Sequence, residues 1–180
     1  MARRTAVLAA LISVTFALSA CGGSAKVSGT TETTLTPKTL DTHLAEVESF
    51  FNSQGGGNWK EGPLMTGGFA TGPFFNYVGS ARSDNTCPTA ITGPRGETAV
   101  SLITVRCSTA RPPNPTFQQA VALFVTAVRK FAPAGVAWTE TALGTNATST
   151  HKKTFGNAVL QIDIAPAQQT VDLNIKANGF

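Results

Sequence analysis

The sequence predicts an α+β fold, an antiparallel sheet of about five strands with two helices packed on one face. Three observations carry that expectation. Two stretches repeat apolar residues at helical spacing, others are rich in β-branched residues, and the last alternates strictly between apolar and polar side chains. The segment order α-β-β-α-β-β-β then favours a layer of helices over a sheet joined by short connections.

In chain order, the first helix is expected from Leu40, whose spacing to Leu44, Val47 and Phe51 places all four on one face. Thr39 suits its N-cap, Asp41 its first turn and Gly55 its end. Residues 55–96 are rich in Gly and Pro and read as irregular, with one strand at 74–78. Residues 97–107 form the second strand, and apolar side chains on both of its faces mark it as central. The second helix follows Arg111-Pro112-Pro113, with Asn114 as N-cap and Pro115 at the first helical position. Phe117, Val121, Phe124, Val128 and Phe131 build its stripe, Arg129 and Lys130 suit the dipole at its C-terminus, and Pro133 stops it. Three strands are expected after it, at 136–143, 154–164 and 170–176. Val171, Leu173 and Ile175 share one side of the last, opposite Asp172, Asn174 and Lys176, so its sheet has one wet face.

The N-terminus carries an address. Arg3 and Arg4 precede an apolar run from Ala6 to Leu18, too short to span a bilayer as a helix. Leu18-Ser19-Ala20-Cys21 follows and resembles the lipobox of bacterial lipoproteins. The resemblance implies cleavage before Cys21, lipidation of its thiol with palmitate-like acyl chains, and attachment to the cell envelope. In that class aspartate after the cysteine retains a protein at the inner membrane. Gly22 therefore implies the outer membrane, where the organism has one. One acyl chain binds a bilayer only marginally, whereas two or three hold it stably. The domain plan is then a signal peptide at 1–20, a flexible Gly/Ser/Thr-rich tether at 21–38 and one globular domain at 39–180.

Charge excludes one class of partner. The chain has 14 basic and 10 acidic residues, a net +4. Loss of Arg3 and Arg4 with the leader reduces the 14 to 12, for a net +2. The basic residues are scattered, with Lys152-Lys153 the longest run after processing, so no nucleic-acid footprint is present. With Cys21 committed to lipid, Cys87 and Cys107 remain as an even pair in an oxidising compartment and are expected to form a disulfide. CxxC spacing and a histidine-completed zinc shell are both missing, so no metal or other cofactor is implied.

Candidate chemistry is sparse. His43 and His151 are the two histidines, His43 one position off the first helix's apolar stripe and expected to be solvated or at its cap, and His151 in a turn with Lys152 and Lys153. No Gly-x-Ser-x-Gly elbow accompanies them. Asp163 and Asp172 meet only if a hairpin register brings them together. The glycines at 57 and 62 have phosphate-loop spacing, but Pro63 stands where the lysine belongs. Asn146-Ala147-Thr148 forms a glycosylation sequon without meaning in a bacterial envelope. Trp59, Phe69, Phe74, Phe75 and Tyr77 lie among glycines and are candidates for a ligand groove or protein-binding patch. Their bland alternative is core filling under a long loop.

The function expected is a non-enzymatic, lipid-anchored module that binds an envelope protein or other envelope component. A carrier of a small molecule or lipid, using the Trp59–Tyr77 segment, is the alternative. A hydrolase pairing His43 or His151 with a carboxylate ranks third.

Overall fold

In the computed structural model, residues 38–63, 74–110, 114–144 and 147–180 are described. The lipobox with Cys21, the tether up to residue 37, Phe69, Arg111-Pro112-Pro113 and Asn146 of the sequon lie outside them. The fold is α+β, with one antiparallel sheet of seven strands and three helices.

Helix α1 covers Leu44–Ser53 and starts four residues later than its apolar spacing suggested. The reason is a competing backbone partner. The amide of Leu40 donates to the carbonyl of Val100 at 2.6 Å, and the amide of Val100 donates to Thr42 at 3.1 Å. Residues 40–43 thus run extended along 98–100, and Leu40 is buried from a strand-like segment. The helix ends at Gly55, which adopts a φ of 86°. The Gly55 amide reaches the Asn52 carbonyl and the Gly56 amide reaches that of Phe51, satisfying two orphan carbonyls of the last turn.

The region expected to be largely irregular holds three strands, β1 (Gly57–Glu61), β2 (Phe74–Ser80) and β3 (Pro88–Pro94). β4 spans Leu102–Ser108. Helix α2 spans Phe117–Phe131, and its N-cap is Thr116 rather than Asn114. The Thr116 hydroxyl accepts from the Gln119 amide while the Gln119 side chain accepts from the Thr116 amide. Two orphan donors satisfied at once outweigh a proline placed at the first position.

Pro133 does not end the helical layer. A 3-10 turn at Pro133–Gly135 leads into α3 (Val136–Ala142), where a strand was expected. Gly135 at the end of the turn and Thr139 and Ala142 of α3 are buried, at i, i+4 and i+7. Gly135 also comes so close to the sheet that a Cβ there would sit 2.3 Å from Leu160. The expected strand 154–164 is strand from residue 158 on, and its first residues belong to the end of a preceding strand and a hairpin turn. β5 (Ser149–Phe155) and β6 (Ala158–Ala165) are joined at Gly156-Asn157, with Gly156 at a φ of 59°. β7 (Thr170–Ala177) completes the sheet.

The strand order is β1-β2-β3-β4-β7-β6-β5, which places β4 at the centre as expected, although only its Ile103, Val105 and Cys107 face is buried and the other carries Thr104 and Arg106. Ile103, Val105 and Cys107 of β4 share one core with Leu160 and Ile162 of β6 and Leu173 and Ile175 of β7. Val47 and Phe51 of α1 and Phe124 and Val128 of α2 fill the same core. Glu46 of α1 and Lys130 of α2 form an ion pair between the helices. That pairing and the Thr42 hydroxyl hold the Glu46 carboxyl below its usual range. The opposite face of the sheet carries Thr104, Arg106, Asn174, Asp172, Gln161 and Asp163.

Candidate functional site

The aromatic candidates do not form one cluster. Trp59 is half-buried on the helix side, where its Nε1 donates to Asn52 Oδ1 at 2.9 Å and its ring stands 6.1 Å from Phe51. Gly79 makes room for that ring: a Cβ there would lie 2.4 Å from it. Phe75 and Tyr77 share this side, with ring centroids 6.0 Å apart. Phe74, one residue earlier, points to the opposite face and meets the Phe180 ring edge-on at 5.2 Å. The alternation of β2 separates neighbours that a linear cluster put together.

Cys87 and Cys107 form a disulfide with Cα atoms 4.2 Å apart. Thr89 pairs with Val105, so the next aligned position toward the strand end brings 87 opposite 107. Both sulfurs are fully buried. The adjoining turn is tied by Asp84, whose carboxylate accepts from Arg82, from the Thr86 hydroxyl and from the Thr86 amide. Burial alone would raise the Asp84 carboxyl, but these donors outweigh it and hold the pKa at about 2.

His43 is the N-cap residue of α1 and is exposed, as the solvated, cap-side reading expects, with Nδ1 3.1 Å from the Thr98 hydroxyl. His151 lies on edge strand β5, not in a turn, with Nε2 3.1 Å from the Ser149 hydroxyl. Each imidazole thus has a hydroxyl, not a carboxylate, as its side-chain partner among the described residues. Among those residues no group of three metal-ligating side chains converges, and no helix is long and apolar enough to cross a membrane.

The sheet face opposite α1 and α2 holds what the linear sequence did not display. Asp163 and Asp172 do stand directly opposite each other. Like charges in that position repel. Arg106 answers with a two-pronged contact to Asp172, its Nε at 2.9 Å and its Nη2 at 2.7 Å, which raises the guanidinium's own pKa. Asp163 instead accepts from Thr150 at 2.7 Å and Gln161 at 2.9 Å. One register row lies beside these groups. Lys60 pairs with Val78, Val78 with Ala90, Ala90 with Thr104, Thr104 with Asn174, Asn174 with Gln161, and Gln161 with Lys152. A transverse stripe thus runs from one cation through an apolar centre and a hydroxyl-and-amide stretch to another cation.

Two depressions adjoin on that stripe. One, of about 320 Å³, is lined mainly by carbon, with Val78, Pro88, Ala90 and Thr104 in its wall and Arg106 at its rim. The other, of about 330 Å³, is lined by Asn58, Lys60 and Asn85 and shares Val78 and Gly79 with the first. Asn58 and Asn85 both adopt left-handed backbone conformations, which asparagine tolerates better than most residues. They are joined by a hydrogen bond from Asn58 Nδ2 to Asn85 Oδ1 at 3.2 Å. The cue available in the sequence was small side chains, Val78-Gly79 and Ala90, flanked by asparagines.

No known protein family, curated protein or solved structure matches this chain.

Proposed function

We propose that this protein is a lipid-anchored bacterial envelope lipoprotein whose folded domain is a non-enzymatic binding module. The anchor is Cys21 of the Leu18-Ser19-Ala20-Cys21 lipobox, and Gly22 directs the protein to the outer membrane where one exists. The observation that carries the binding role is the asymmetry of the sheet. The helices fill one face with core, and the other presents hydrogen-bonding side chains, lysines without an ion pair among the described residues and an apolar depression together. Polar groups around an apolar centre are the usual make-up of a recognition surface.

Photo-crosslinking in cells tests this role. A crosslinker at Gln161, on the open face, is expected to capture a defined envelope component, and the same group at Gln118, on the exposed side of α2, is not. Equal capture from both positions, or none from either, overturns the assignment. Intact mass of the native protein tests the anchor separately: a bare-peptide mass removes it.

A further inference from the structure

We propose that the two adjoining depressions on the open face form one binding site for an anionic amphiphile, a carboxylate or phosphate group carrying a short apolar chain. The polar depression supplies the anion site. Lys60 is exposed and makes no ion pair among the described residues. Asn85 turns its Oδ1 to Asn58, which leaves its Nδ2 as a donor beside the same depression. An ammonium and an amide N–H recognise an anion and offer nothing to a cation.

The second depression supplies the apolar half. It shares Val78 and Gly79 with the first, so the two depressions meet at Val78 and one ligand spans both. Ala90 and Pro88 continue its floor toward Thr104. Three inter-strand steps of about 4.8 Å separate Lys60 on β1 from Thr104 on β4, so the bound chain is about 14 Å long. At the far end Arg106 is held by Asp172 through Nε and Nη2, and its charge is already answered. The charge pattern thus fixes the ligand's direction, with the anionic group at Lys60 and the chain toward β4. The site is open on one side, and its occupant leaves readily into bulk water or a neighbouring bilayer.

This deepens the binding-module reading by naming a ligand class for part of the open face, and the two fail independently. Crosslinking reads a macromolecular partner, whereas titration reads a small amphiphile. The test uses the full chain carrying Cys21→Ser, so that no acyl chain competes in cis. Dodecanoate, below its micelle-forming concentration, is titrated while backbone amide resonances are followed. Dodecyltrimethylammonium, acetate and inorganic phosphate form the comparison arms. Dodecanoate is expected to move the resonances of Lys60, Val78, Ala90 and Thr104, and to bind at least tenfold tighter than any comparison ligand. Lys60→Glu, on an exposed edge strand, is expected to weaken it at least tenfold without lowering thermal stability. Val78→Asp is expected to do the same. Equal binding of the cationic amphiphile, equal binding of acetate or phosphate, shifts confined to the helical face, or an unchanged affinity in Lys60→Glu would each overturn the proposal. Lys60→Glu leaves the core untouched, so the test survives if Val78→Asp fails to fold.

Discussion

Cutting the Cys87–Cys107 link offers two perturbations that differ only in what they leave behind. Reduction with dithiothreitol breaks the bond and keeps both sulfurs, whereas Cys87→Ala with Cys107→Ala removes the sulfurs as well. The bond closes a loop with a sequence separation of 20, and chain entropy puts its worth at roughly 3 kcal/mol through the unfolded state. Both side chains are fully buried, so the alanine pair also loses packing of about 1–2 kcal/mol. The expected order of stability is oxidised, reduced, then double alanine, with losses of about 3 and about 4–5 kcal/mol. Urea unfolding of the three forms measures it, and the m-value should rise in both cut forms because their unfolded chains expose more surface. Burial adds a kinetic signature, since a reductant reaches the bond only after the β3–β4 end opens. A stability loss below about 1 kcal/mol with an unchanged m-value would refute the entropic account. Rapid reduction in native buffer would refute the burial.

Three further perturbations probe local features. Gly93→Ala places a Cβ 2.1 Å from the Ala99 carbonyl oxygen and 2.6 Å from the Phe75 ring. A loss of about 2–3 kcal/mol is expected in thermal or urea unfolding, and a variant as stable as the parent would show that this crossing is loose. Thr116→Ala removes the hydroxyl of the α2 capping box and should cost about 1 kcal/mol, with faster amide exchange at Gln119, while Thr116→Ser should restore most of it. Asp84 titrates at about 2 in the fold against an ordinary 3.8, so its contribution is complete above about pH 4. It is lost as acid takes the pH down through 2. The side chain is 23% exposed, and about 1 kcal/mol is the appropriate scale after solvent screening. Asp84→Asn should flatten the stability–pH curve between 4 and 2, and an unchanged slope there would place that pH dependence elsewhere.

The parts legible in the sequence are those where one local signal met no competitor. Val171, Leu173 and Ile175 gave β7, and the Phe117-to-Phe131 stripe gave α2. Leu40 has the right spacing to extend α1, yet the backbone of 98–100 takes its amide first, and a tertiary partner overrides a periodicity. α3 stands where the sequence reading expects a strand, and its Val136, Trp138 and Thr139 do have β propensity. Its true signal was the small buried set Gly135, Thr139 and Ala142, which lets it lie close against the sheet. β1 has an exposed, polar composition with Trp59 its one large apolar side chain, so period-two patterning had little to act on. β3 is bounded by Pro88 and Pro94, which punctuate like turns but are tolerated at strand ends.

The candidate site was illegible for a different reason. Lys60, Val78, Ala90 and Thr104 are spread across four strands, and no periodicity links them. What joins them is register. A one-residue slip of β2 against β3 would turn Ala90 to face Gly79 or Tyr77 and send Val78 out of the row. Register here is fixed by the buried side, where Ile91 and Ile103 stand opposite each other in the core and the Cys87–Cys107 bond pins the adjacent strand end. The open face therefore inherits its order from the covered one. It follows that substitutions which loosen the β3–β4 pairing should weaken amphiphile binding without touching a lining residue. Reducing the disulfide under conditions where the domain stays folded separates that effect from simple unfolding. Dodecanoate affinity should fall on reduction while Ile103 and Leu173 keep their slow amide exchange, and an affinity indifferent to the bond would mean that the row holds together without it.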